Sequence, residues 1–300
     1  MAFDTIMNFE GKFADHILAD KIHILNVSFL VPGMKREYGG CAGNIAYGLK
    51  LLGGDPRPLA TVGDDGASYL ERFAAMGIDT RGVHTVPGTY TAQAFITTDH
   101  SNNQITAFHP GAMMASHTVS VTRAGEVKLG LIGPDGKEGM FAHARQMHAA
   151  GIPFVFDPGQ ALPLFSGEEL LEMVHMADWL AVNDYEGQLV AELTGHTLLQ
   201  LAGQLRAVIV TKGEDGVDIT VQDRTRSIEA VKAAAVVDPT GCGDAFRGGL
   251  LFGLAQGMDI MQAARIGCAM GAIKIAYPGG QNYRTSWPQV QAMIDQLYPA

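Results

Sequence analysis

The segment Val236-Val237-Asp238-Pro239-Thr240-Gly241-Cys242-Gly243-Asp244-Ala245-Phe246-Arg247-Gly248-Gly249 runs directly into an apolar helical stretch. Two glycines flanking a small residue ahead of a helix let the N–H groups of Gly241, Cys242 and Gly243 point into one cavity. With the partial positive charge of a helix N-terminus, such donors suit a phosphoryl group in transfer. Asp244 falls in the first turn beside this anion hole. A carboxylate there can take the proton of an attacking hydroxyl while the amides stabilise the charge on the transferred group. First-turn aspartates and Gly-x-Gly loops also serve as plain helix starts, so the segment alone leaves both readings open. A second glycine-rich run extends from Tyr38 through Gly39, Gly40, Cys41, Ala42, Gly43 and Asn44 to Gly53-Gly54. Gly39 and Gly40 allow the main chain to approach a ligand with no Cβ between them. Asn44, near the start of the next helix, offers an amide that both donates and accepts.

The elements that must position these groups follow from hydrophobic period. Short apolar strands are expected at 129–132, 153–156, 179–182 and 207–210, alternating with helical stretches such as 168–176 and 185–193. Strict alternation of this kind means crossover connections and a parallel sheet covered on both faces. Ligands of such sheets sit outside the carboxyl ends of the strands. Here those ends run into Gly133-Pro134-Asp135, Asp157-Pro158-Gly159-Gln160, Asn183-Asp184-Tyr185-Glu186 and Thr211-Lys212-Gly213-Glu214. The same residues form good turns and helix caps; four such ends together favour a site. Residues 91–98 and 103–108, separated by Asp99-His100-Ser101-Asn102, read as a hairpin. Residues 8–36 mix β-branched and charged positions and read as mainly extended structure pairing with that hairpin.

Composition bounds the rest. The chain of 300 residues is 47% hydrophobic and 17% charged, enough to bury a sizeable core. Its 37 glycines follow no G-x-y period and therefore belong to turns and ligand loops. A formal charge of −10 argues against a general nucleic-acid binder, although backbone amides can still hold a small anion. Cys41, Cys242 and Cys268 are odd in number and lack C-x-x-C spacing, which suits a reducing compartment and neither a disulfide framework nor a zinc site. No apolar run approaches the ~20 residues of a membrane span, so the expectation is a cytoplasmic protein without membrane partners.

DPTGCGDAF resembles the second signature of the ribokinase-like (PfkB) family of carbohydrate and nucleoside kinases, and the run from Tyr38 to Gly54 resembles its first. The two stand in the family's order, about two hundred residues apart, and the resemblance covers practically the whole chain. It implies a three-layer α/β/α sandwich with a mainly parallel sheet and a small β lid. The lid would come from about 8–36 and 88–110 of a single domain, and the large α/β part from about 38–87 and 111–300. It also implies ATP as phosphoryl donor, Asp244 as catalytic base and Gly241, Cys242 and Gly243 as anion hole. By the same resemblance Asp4, Gly39, Gly40 and Asn44 hold the sugar, Asp4 by accepting two vicinal hydroxyls. Asn183, Thr211, Gly213 and Gly216 border ATP, and Glu186 organises Mg²⁺ through water. A monovalent cation is admitted. Arg247 departs from the small or apolar residue common at its position and is expected to face the phosphates, the alternative being a solvated groove. Asp157 is either a ligand neighbour or a turn former. A second departure lies at the start: in the family a strand precedes the position of Asp4, whereas this chain begins three residues before it. Either the start is set too far downstream or a central strand of the sheet is missing, and loss of such a strand would leave neighbouring edges unpaired and Asp4 on a frayed terminus.

The assembled motifs, including NFEGKF, SFLVP, AFHPGAM and FDPGQ, are similar to bacterial adenosine and broad-specificity nucleoside kinases. An apolar slot for a purine could draw on Phe29 and Phe108, although both could equally pack the lid. Lys35 and Arg36 could instead hold a sugar phosphate or lie solvated. The alternatives are a ribokinase- or fructokinase-type sugar kinase and, remotely, a non-catalytic nucleoside sensor. A dinucleotide-dependent oxidoreductase is disfavoured because Gly39–Gly43 lacks G-x-G-x-x-G spacing. Monomer and homodimer through lid edges both remain open.

Overall fold

The computed structural model describes residues 1–17, 26–101 and 103–298. Its largest sheet has six strands in the order β12-β11-β10-β9-β8-β7. β7 (Gly130–Ile132), β8 (Phe154–Phe156), β9 (Trp179–Asn183) and β10 (Ala207–Thr211) are mutually parallel, and β11 (Val217–Val221) and β12 (Arg224–Ile228) close one side antiparallel. Side chains alternate across this sheet as strand geometry requires. Phe154, Phe156, Leu180, Val182 and Val208 enter one core with Met140 of α3 (Lys137–Ala149), Leu170 and Met173 of α4 (Gly167–Met176), Val190 of α5 (Asp184–Thr194) and Leu201 of α6 (Leu198–Ala202). Val155, Trp179, Ala181, Ala207 and Ile209 enter another with Ile45 of α1 (Cys41–Leu51), Phe246 and Leu250 of α7 (Cys242–Ala255), and Ala263 of α8 (Ile260–Lys274). The result is an α/β/α sandwich; α2 (Ala67–Ala75) and α9 (Trp287–Leu297) complete its helices among the described residues.

A separate four-stranded sheet has the order β2-β1-β5-β6. β1 (Ala2–Asn8) pairs antiparallel with β2 (Met34–Gly39) and parallel with β5 (Ala92–Thr98). The expected hairpin is β5 with β6 (Gln104–His109). The extended part of the N-terminal region is thus displaced from its expected position: strands occupy 2–8 and 34–39, whereas the described residues between them form no strand. Residues 18–25 of that expectation lie outside the described residues. Phe9, Phe13 and Phe29 cluster here, with Phe29 4.9 Å from each of the other two rings. Phe29 therefore packs this connection.

The frayed terminus is also corrected, because Asp4 lies third in a strand paired on both sides. β3 (Ala60–Val62) and β4 (Val83–Thr85) form a parallel pair of their own, and no ladder joins β3 to β7 among the described residues.

Leu180 lies at the centre of the large sheet with no exposed surface. Leu180→Ala should destabilise the fold by about 2–5 kcal/mol through lost burial and the cavity left behind. Urea denaturation reads this, and an unchanged midpoint contradicts the placement of the core.

Candidate active site

Asp244 stands in the first turn of α7, and Asn44 in the first turn of α1, 200 residues earlier in the chain. The Asn44 Nδ2 donates to Asp244 Oδ2 at 2.8 Å, and Asn44 Oδ1 accepts from Gln281 Nε2 at 3.1 Å. Gln281 Nε2 also reaches the Tyr69 hydroxyl at 2.5 Å, and that hydroxyl donates to the Gly39 carbonyl at 2.8 Å. A single buried polar chain therefore fixes Asp244 against the first glycine segment. Asn44, expected to hold sugar hydroxyls, spends its oxygen and one N–H on this chain and has one N–H to spare. Burial pushes the Asp244 carboxyl above the usual aspartate range, and Asp157 adds to this; the bond from Asn44 and the charge of Arg247 oppose it.

Gly241 is the N-cap of α7 at φ 76°, ψ 10°, a left-handed conformation that glycine adopts without strain. The bend it makes sends the Cys242 N–H back to the Pro239 carbonyl at 3.1 Å. That amide is therefore not free for an anion, contrary to expectation. The N–H groups of Gly241, Gly243 and Asp244 have no protein acceptor among the described residues. They are the orphan donors of a helix start, and they define the open cradle. The loop behind them is held by Asp238, whose carboxylate accepts from Thr240 N–H at 2.8 Å and Gly279 N–H at 2.7 Å. The buried Lys274 Nζ donates to the Asp238 carbonyl at 2.6 Å and the Tyr277 carbonyl at 3.1 Å.

Asp4 belongs to the small sheet, in a row with Glu37, Ala94 and Phe108 across four strands. Residues directly opposite on neighbouring strands share a face, so Phe108 and Asp4 look the same way. Phe108 is 53% exposed and is free of the core, rather than packing the two parts together. No donor reaches the Asp4 carboxylate among the described residues. Burial, followed by the charges of Asp244, Glu37 and Asp238, pushes its carboxyl up to about 6. A Cβ on Gly39 would overlap that carboxylate, and one on Gly40, at φ 80°, would meet the backbone of Met1 and Ala2. The close approach of backbone expected at both glycines is thus toward β1.

At the strand ends of the large sheet the structure favours capping for some predicted groups. Asn183 and Glu186 form a reciprocal capping box: Asn183 Oδ1 accepts from Glu186 N–H at 2.7 Å, and Glu186 Oε2 from Asn183 N–H at 2.8 Å. Thr211 Oγ1 donates to the Val182 carbonyl at 3.3 Å. Gly213 has open space where a Cβ would stand, whereas a Cβ on Gly216 would overlap the Ile228 carbonyl, so Gly216 permits the approach of β12. Arg247 requires a correction. It is buried and its guanidinium grips Asp157 in a two-pronged pair, Nη2 to Oδ1 at 2.9 Å and Nε to Oδ2. Its Nη1 reaches the Gly243 carbonyl at 3.3 Å. It lies in no solvated groove, and the fork expected to face phosphates is filled instead by the carboxylate of Asp157, just after β8.

Two helix starts thus meet around an ionisable carboxylate with an open amide cradle. The pfkB family carbohydrate kinase model matches residues 6–287. The chain belongs to this family. It is a phosphotransferase acting on a hydroxyl acceptor. A solved structure of Burkholderia thailandensis nucleoside kinase in complex with inosine is 49% identical at a TM-score of 0.89, covering 100% of this chain and 96% of that one. The same kinase in complex with ADP-inosine gives 50% identity and a TM-score of 0.86, covering 100% and 94%. A nucleoside kinase of Methanocaldococcus jannaschii is 31% identical over 298 residues, 98% of this chain and 94% of its own length.

Among pfkB-family expectations, the Mg²⁺ site can be tested on the donor set. No cluster of three or more His, Cys, Asp or Glu that could hold a metal occurs among the described residues, so there is no all-protein cage. Glu186 keeps one carboxylate oxygen outside its capping box, and burial raises its pKa. One free carboxylate oxygen fits an ion that retains most of its waters. Sequence reasoning missed Tyr69, Gln281 and Lys274. Of these only Lys274 left a signal, since it continues the buried stripe Ala263, Gly267, Met270 of α8.

Removing Arg247 would strand Asp157 as a buried unpaired charge. Arg247→Met should therefore lower stability by about 3–5 kcal/mol in urea denaturation. A stability close to the parent's, with ATP binding lost instead, would restore the phosphate-facing reading.

Proposed function

We propose that the chain transfers the γ-phosphoryl group of ATP to the ribose 5′-hydroxyl of a purine nucleoside, adenosine foremost. The observation that carries this reading is the pairing of Asp244 with an open amide cradle, opposite an unpartnered Asp4 that shares its sheet face with Phe108. The inosine and ADP-inosine complexes of the Burkholderia relative support a nucleoside acceptor and an adenine nucleotide donor.

In this reading Asp4 accepts hydrogen bonds from the two vicinal ribose hydroxyls. Ile6 and Ile96, on the same face of the small sheet, and Phe108 give the base an apolar surface. Asn44 orients Asp244, which takes the proton of the 5′-hydroxyl as it attacks. The raised Asp244 carboxyl brings a proton acceptor nearer to neutrality, which general-base catalysis favours. The amides of Gly241, Gly243 and Asp244 receive the charge spread over the transferred group. Asn183, Thr211 and Gly213 line the strand ends from which the nucleotide would be bordered. Glu186 is the residue that would hold a hydrated Mg²⁺, which when bound offsets charge on the phosphates. Closure of the small sheet over the acceptor excludes competing water.

Asp244→Asn should reduce turnover by about 10² or more while nucleoside affinity, measured by calorimetry, changes little. Turnover like the parent's removes Asp244 from its role. Products from a panel of adenosine, inosine, guanosine, ribose and fructose, read by phosphate position, test the acceptor; a sugar preferred over every nucleoside overturns it.

Asp4 supplies a pH test. With its carboxyl raised to about 6, it is ionised above that pH and protonated below it. Only the ionised form offers both oxygens as acceptors, so nucleoside KM should be flat above about pH 6 and climb as pH falls through it. Asp4→Asn should raise KM and remove the climb. A climb that persists in this variant assigns it to another group.

A further inference from the structure

Lys274 has no exposed surface, yet among the described residues it forms no ion pair within 4 Å. Both of its bonds go to main-chain carbonyls, Asp238 at 2.6 Å and Tyr277 at 3.1 Å. Around it the same two segments are tied by Gly279 N–H to the Asp238 carboxylate at 2.7 Å, and by Val237 N–H and Asp238 N–H to the Ile275 carbonyl at 2.9 and 3.1 Å. An ammonium taken out of water is costly unless its partners are well placed. Two converging carbonyl oxygens beside a carboxylate form the donor set that a desolvated monovalent cation takes. Here that position is filled by a side chain. The segment it pins leads within three residues to Gly241, whose bend opens the amide cradle.

We propose that the Lys274 ammonium is a tethered monovalent cation that positions the 238–241 loop, so that the enzyme needs no free ion of this kind. The monovalent cation admitted by the family resemblance does not fit this chain, since the oxygens that would bind it already accept from Nζ. Lys274 is a positioning residue. Its catalytic consequence rests on the kinase reading above, whereas its cation chemistry does not.

The test uses the intact chain and Lys274→Met in tetramethylammonium, sodium, potassium or ammonium chloride at constant ionic strength. The parent's turnover and melting temperature should be the same in all four salts. The variant should lose about tenfold or more in kcat in tetramethylammonium, as loop misplacement predicts, with a smaller change in nucleoside KM. Potassium or ammonium should restore part of that loss and raise the variant's melting temperature, because an ion bound only by the folded state stabilises it. Stimulation of the parent several-fold by potassium overturns the proposal, and so does a folded variant that responds to none of the ions. If the variant unfolds in tetramethylammonium, its folding in potassium or ammonium supports the proposal, and failure in both counts against it. If no nucleoside or sugar is phosphorylated, the kinase reading fails while the melting measurements still decide the cation chemistry.

Discussion

The hydrogen bond from Asn44 to Asp244 sets the condition that the rest of the molecule satisfies. It requires the first turns of α1 and α7 to lie side by side although 200 residues separate them. The large sheet supplies that placement. Ile45 of α1 and Phe246 of α7 enter the same core on one face of the sheet, one residue beyond Asn44 and two beyond Asp244. Burial of these neighbours brings the polar groups together at no separate cost in chain order. Gln281 and Tyr69 then extend the contact to Gly39, so the orientation of Asp244 is coupled to the strand that pairs with Asp4.

A second constraint is electrostatic. Asp4, Glu37, Asp238 and Asp244 gather in one region of a chain whose formal charge is −10. Three of them are answered individually: Glu37 by Asn282, Asp238 by two amides, and Asp244 by Asn44. Asp4 receives no donor among the described residues, and its carboxyl rises to about 6. The proposed transfer of a phosphoryl group in an acidic site needs a positive end, and here oriented amides supply one without any mobile counter-charge of their own. The two buried cations nearby, Arg247 and Lys274, do not face the cleft. One holds the end of β8, and the other holds the loop before α7.

The parallel core was legible because Phe154–Phe156, Trp179–Asn183 and Ala207–Thr211 are short apolar runs with helical stretches between them, a pattern fixed by burial on both faces. The place of Asp244 in the first turn of α7 was legible because glycine spacing ahead of a helix constrains backbone directly. Arg247 departs from its expectation for a physical reason: a cation near a helix N-terminus has two acceptors available, and only the fold places Asp157, just after β8, within its reach. The small sheet was displaced because residues 2–8 show no clean alternation, one face carrying Asp4 and the other Phe3 and a buried Thr5. Asn183 and Glu186 are ambiguous by nature, since a capping box and a phosphate-side carboxylate call for the same residue types at the same spacing.

The return of the Cys242 amide to Pro239 has a consequence for how the proton acceptor and the cradle are aligned. Had the cradle consisted of Gly241, Cys242 and Gly243, its distance from the Asp244 carboxylate would depend on the packing of a whole turn. With Cys242 withdrawn, the cradle is left to Gly241, Gly243 and the N–H of Asp244 itself, an orphan donor of the helix start. In the proposed reading the base and one stabilising dipole then belong to one residue, and their separation is limited by the two torsions of one short side chain. Asn44 fixes that rotation by holding Oδ2 at 2.8 Å. Small shifts of α7 along its axis therefore move carboxylate and cradle together, which preserves the alignment that the proposed transfer requires.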